Sequence, residues 1–145
     1  MTGPTGLDGL LSGEIAPGLH VWRSAIPVDL VRVEAEAAGW GFAVVALDPA
    51  PSEVHGSAKA DALTAFKAAL DLPAYVGANL DALWDGLREI AEPLLVLWEG
   101  WELLAEADPH AFRSLVRLLT RRAQQGGFSV LLRGDGPASD LPDLG

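Results

Sequence analysis

Short apolar runs alternate with longer segments of helical period through the middle of this chain, and that alternation constrains the fold more than any other feature. FAVVAL (42–47) and LLVLW (94–98) are continuous apolar runs of strand length, and FSVLL (128–132) is one broken only by Ser129. Runs of this kind belong to strands covered on both faces, and the helical segments between them are the crossovers that parallel pairing requires. The chain is therefore predicted to be α/β: a small parallel β-sheet of three strands packed with helices, with a fourth strand available at His20 to Trp22 in the N-terminal extension. Its 145 residues suit one domain, and half of them are hydrophobic, enough for a sizeable core.

The helices are punctuated by their ends. Val28 to Ala38 begins after Pro27 and closes at Gly39, and Ser57 to Leu70 sets Leu63, Phe66, Lys67 and Leu70 at helical spacing behind a Ser57 cap, with Pro73 ending it. Asp108 before Pro109 is a cap followed by a first-turn proline. It opens a helix that buries Phe112, Leu115, Val116 and Leu119 and stops at Gly126 and Gly127. Residues 1–13, with four glycines and a proline, and residues 134–145, GDGPASDLPDLG, have the composition of flexible tails. Residues 14–41 form an N-terminal extension, and 42–133 the domain proper.

Ten Lys plus Arg stand against twenty Asp plus Glu, a net charge of −10, which argues against a nucleic-acid ligand and for a basic protein partner. The charge is unevenly spread: Asp81 to Asp108 holds eight carboxylates and one base, Arg88, whereas His110 to Arg133 holds five arginines and no acid. Arg113, Arg117 and Arg121 recur every fourth residue on one side of the last helix, which reads either as a solvated face or as a partner contact. With no cysteine, disulfides, thiolate metal sites, iron–sulfur clusters and a thiol nucleophile are excluded. His20, His55 and His110 are isolated, without metal-ligand spacing, and are expected at the surface or at caps; no metal or cofactor is expected. The first fourteen residues carry no Lys, Arg or long apolar run, and Pro93 to Trp98 is far shorter than the roughly 20 residues of a membrane span. A soluble, cytoplasmic protein with no membrane contact is expected.

The informative segment is LPAYVGANLDALWDGL, Leu72 to Leu87. Asn79 is a good N-cap, and Asp81 then sits in a first turn where the helix dipole favours an anion. Leu80, Leu83 and Leu87 share one face and anchor the helix, while Asp81, Trp84, Asp85 and Arg88 fall together elsewhere. The simplest reading of that second face is a solvated acidic helix. The functional reading is a ridge of anions able to enter a groove built for phosphates, because carboxylates offer acceptor oxygens to the same Arg, Lys and His donors. A catalytic carboxylate pair fits less well: one exposed helix face gives Asp81 and Asp85 similar surroundings, whereas acid and base roles need different ones. Trp22, Trp40, Trp98 and Trp101 border or end core elements and are expected to pack rather than to stack on a ligand.

With the preceding LP and the later strand PLLVLW, the run YVGANLDALWDGL resembles, in order and spacing, the binding loop and second helix of the barstar family, intracellular inhibitors of barnase-type secreted ribonucleases. The similarity in pattern extends from about Phe42 to Arg133, roughly two-thirds of the chain. It implies a fold of three parallel strands with helices, no enzymatic activity, and a basic ribonuclease or other toxin as the partner of a protein that is monomeric when free. It makes Tyr75 the aromatic of the loop, Gly77 its turn, Asn79 the helix start, and Asp81, Trp84 and Asp85 the contacts. Asp85 falls at the centre, where its counterpart accepts hydrogen bonds in place of a substrate phosphate. Three positions depart from the family pattern. Val76 replaces a second aromatic, the tryptophan after the binding helix is missing near Ile90 or Ala91, and an acid of the last helix falls on Arg121 or Arg122, depending on whether Gly126 or Gly127 aligns. The reversed charge implies a target other than barnase, a ribonuclease or other toxin whose surface opposite this helix is acidic; the alternative reading is a module of the same fold docking on another basic protein without inhibiting a ribonuclease.

Overall fold

The computed structural model describes residues 6–46, 58–72, 79–134, 141–142 and 144. Strands β1 (Leu19–Trp22), β2 (Gly41–Ala46), β3 (Leu94–Glu99) and β4 (Phe128–Arg133) form one sheet in the order β1-β4-β3-β2, with every pairing parallel. The available fourth strand therefore exists: Leu19 to Trp22 pair in register with Val130 to Arg133. The described helices are α1 (Gly6–Ser12), α2 (Val28–Ala37), α3 (Ala58–Ala69), α4 (Leu80–Arg88), α5 (Trp101–Ala107) and α6 (Pro109–Gln124). The expected cap at Ser57 and the end at Pro73 lie outside the described residues.

The pleat sorts the two inner strands into two cores. Val96, Trp98, Val130 and Leu132 face helices α3 to α6, where Trp98 meets Phe66 edge-on at 5.0 Å and Phe112 at 5.9 Å. Leu95, Leu97 and Leu131 point the other way, into a second core with Leu7, Leu10, Trp22, Val31, Ala35 and Leu144. Trp22, Trp98 and Trp101 are buried, as expected of packing residues, and half-buried Trp40 donates its Nε1–H to the carbonyl of Leu11 at 3.3 Å.

Three expectations are corrected here. FAVVAL was expected to be covered on both faces, yet in β2 only Val45 is buried, because this strand is the sheet's edge and has a neighbour on one side alone. Residues 6–12 do not behave as an unpacked tail: they form α1, whose Leu7 and Leu10 sit one helical turn apart and bury against the sheet. Likewise the far end of the chain returns to β1, where the Val21 amide donates to Pro142 O at 2.8 Å and Leu144 N donates to Val21 O at 2.9 Å. Finally, His20 is buried in β1 rather than at the surface; Nδ1 has no hydrogen-bond partner among the described residues, and burial pushes the imidazole pKa below its usual value against the opposing effect of the Gly18 backbone.

If α1 is structural, Leu10→Ala should cost about 2–4 kcal/mol in a urea melt, the usual loss for truncating a fully buried leucine. A change below about 0.5 kcal/mol would mean that α1 is dispensable.

Candidate functional site

Helix α4 is held in place from three directions. At its start, the Asn79 side chain accepts a hydrogen bond from the Ala82 amide at 2.8 Å, capping the first turn as its residue type predicts. Along its inner face Leu83, Gly86 and Leu87 are buried, and Leu80 is half-buried. Gly86 leaves room for Leu72, whose methyl groups lie 2.7 Å from where a Cβ would stand, so α4 and the end of the α3 connection approach closely.

Its C-terminal end is held by Arg122, the functional-site feature that the sequence reading left ambiguous. Arg122 is buried on α6, and its guanidinium donates from Nε to Leu87 O at 2.8 Å, from Nη2 to Ile90 O at 3.0 Å and from Nη1 to Gly126 O at 3.0 Å. These carbonyls terminate α4 and α6, where helix dipoles favour a cation, and the group also lies over the Phe128 ring at 5.4 Å. Arg122 is thus a clamp between two helix ends. A signal was present: Leu115, Leu119 and Arg122 fall on one apolar stripe of α6.

Of the two candidates for the reversed charge, only Arg121 faces solvent. Its guanidinium lies over the Trp84 ring at 4.6 Å, joining α6 to the outer face of α4. Asp81 and Asp85 are exposed on that face, and Trp84 between them is half-buried. Asp85 meets Arg88 only loosely, at 3.9 Å with both side chains mostly exposed, so its carboxylate remains free to accept from a partner. The structure therefore brings Asp81, Trp84, Asp85 and Arg121 together beside the Asn79 cap. Tyr75 and Gly77 lie outside the described residues.

The arrangement presents two exposed carboxylates of similar environment on a rigidly seated helix, which suits acceptance of hydrogen bonds from a cationic surface better than acid and base chemistry. Among the described residues no three His, Asp or Glu side chains are placed to hold a metal ion. No helix among them is long and apolar enough to cross a membrane.

No curated protein matches the chain. A family model described as barstar, barnase inhibitor, matches residues 54–133, more than half of the sequence and beginning later than the expected boundary at Phe42. The match runs from ahead of α3 to the last residue of β4 and contains the whole outer face of α4, so the helix that carries the exposed carboxylates is part of what is shared, and the chain belongs to the barstar family.

Proposed function

We propose that this protein inhibits a basic, barnase-type or related ribonuclease by laying the outer face of α4 over its active site. The observation that carries the reading is the exposure of Asp81 and Asp85 on a helix fixed by its cap, its core leucines and the Arg122 clamp. A pre-positioned anion loses little freedom on binding, and its oxygens take the place of substrate phosphates before the enzyme's cationic donors. Asp85 occupies the centre of the contact, with Trp84 as its apolar anchor and Asp81 beside it. Tyr75 and Gly77, in the segment leading to Asn79, complete the contact from the loop side. An inhibitor of a secreted toxin protects the cell that makes it, so the protein acts in the cytoplasm, as a monomer, before the enzyme is exported.

The test is a ribonuclease assay titrated with the protein, using barnase and any small secreted ribonuclease encoded beside its gene. Stoichiometric loss of RNA cleavage is expected for at least one of them. Eight carboxylates between Asp81 and Asp108 should also steer the encounter. Association should slow markedly between roughly 50 and 500 mM salt as screening shortens, while dissociation changes much less. Cleavage that persists for all of them at excess protein would remove the inhibitor reading, and a salt-independent association rate would remove steering.

A further inference from the structure

We propose that Arg113, Arg117 and Arg121 form a second, cationic contact ridge that receives an acidic strip on the same partner, so that the target presents a cationic centre flanked by carboxylates. This rests on the inhibitor reading and adds the chemistry of the partner's surface.

All three arginines are exposed on α6, and none forms an ion pair with a described residue. Acids are not scarce in a chain with twice as many carboxylates as bases, and α5, packed beside α6, carries Glu102 and Glu106. Like charges four residues apart weaken a helix, and of the three only Arg121, in the last turn of α6, gains from the dipole. The repulsion along the row is therefore a cost to the helix that bears it. Its last member stacks on Trp84, 4.6 Å away, so the cationic row begins where the acidic ridge of α4 ends. The carboxylates of α4 and the arginines of α6 thus meet at the Trp84–Arg121 contact as two poles of one surface.

The helix repeat sets the spacing of what this ridge can hold. Successive arginines are about 6 Å apart along the axis and the row spans about 12 Å. Carboxylates on every fourth residue of a helix, or on alternate residues of a strand, match that interval. The planar guanidinium fork pairs with a carboxylate through two parallel bonds, which makes arginine the suitable cation for such a strip. A polyanionic nucleic acid would have to lie against the carboxylates of α4 and a net charge of −10, so an acidic protein surface is the favoured occupant.

The experiment uses full-length protein, barnase as a cationic probe and a decaglutamate peptide as an acidic one. R117E/R121E leaves the Arg122 clamp intact, and R23E/R32E makes the same change in net charge on the N-terminal extension. At about 50 mM salt, R117E/R121E should speed association with barnase at least about tenfold, and R23E/R32E less than about threefold. Equal effects would reduce the ridge to net charge and overturn the proposal. Should no variant bind barnase, the inhibitor reading is in trouble by itself, and the peptide decides the ridge. Wild type should bind decaglutamate in a salt-sensitive way and R117E/R121E should not; absence of binding, or equal binding by both, overturns it. Binding of a uridine oligonucleotide that R117E/R121E abolishes would show a phosphate site instead. A dimer in sedimentation that R117E/R121E dissolves would show that the ridge faces a second copy.

Discussion

Asp85→Ala should weaken binding to the target ribonuclease by about 2–5 kcal/mol, a range for which the barnase–barstar complex is itself the standard example and which is not specific to this structure. The cause is asymmetric. Truncation removes one carboxylate from this protein but leaves the enzyme's active-site cations desolvated and unpaired, so the loss exceeds the worth of any single hydrogen bond. Asp81→Ala and Glu89→Ala, at the first turn and the C-cap of α4, should each cost far less if Asp85 is the centre of the contact as proposed, because water can replace a contact at the rim. The fold should survive all three, although Asp81→Ala also gives up a favourably placed anion in the first turn of α4. Asp85 is exposed and only loosely paired with Arg88, and alanine favours the helix, so stability should change by no more than about 0.5 kcal/mol. Calorimetric titration and a urea melt on the same samples separate the two quantities. Small, equal binding losses at the three sites would place the interface elsewhere.

Arg122→Ala is expected to do the reverse, lowering stability by about 3 kcal/mol and the melting temperature by roughly 10 °C. Its side chain serves the carbonyls of Leu87, Ile90 and Gly126 at once, all within 3.0 Å. Removing it takes the side-chain donor from the Ile90 and Gly126 carbonyls, leaves Leu87 O with backbone donors alone, and opens a void beside Phe128. Arg122→Lys should recover little, since a single ammonium cannot reproduce a planar fork aimed at three oxygens. Arg121→Ala, one residue away, should change the melt by less than about 1 kcal/mol, because it loses only an exposed stacking contact. Comparable melts for the two alanine variants would refute the assignment of Arg122 as the clamp.

Much of the architecture was legible in local chemistry. Asp108 with Pro109 and Asn79 marked the starts of α6 and α4, and the Asp108 carboxylate does accept from the Ala111 amide at 3.0 Å. Apolar runs marked three strands. Local chemistry does not say which neighbours a strand acquires, and so FAVVAL gave no sign of lying at an edge. Nor does it reveal burial created by distant partners: Leu7, Leu10 and Leu144 sit in glycine- and proline-rich surroundings typical of loose ends, yet the exposed face of β3 and β4 offered them an apolar surface to cover. In the candidate site the carboxylates were legible because a helix repeat places them. The stacking of Arg121 on Trp84 and the clamp of Arg122 were not, since both depend on how α6 crosses α4.

The position of β4 has a consequence for how the molecule comes into being. Among the described residues it is the last strand and an inner one in the sheet, and it is the strand with which β1 pairs. The Gly18 amide bonds to the Ser129 hydroxyl across 111 residues at 3.1 Å, so the first strand must wait for the segment that carries β4 before it finds its place. Closing so long a loop is entropically costly and slows folding. During synthesis the sheet therefore cannot assemble from its N-terminal edge, and the second core, with Trp22 and Leu10, forms only after β4 has been made. Until then the apolar residues of α1 and β1 lack the surface they bury against, a stage at which aggregation competes with folding.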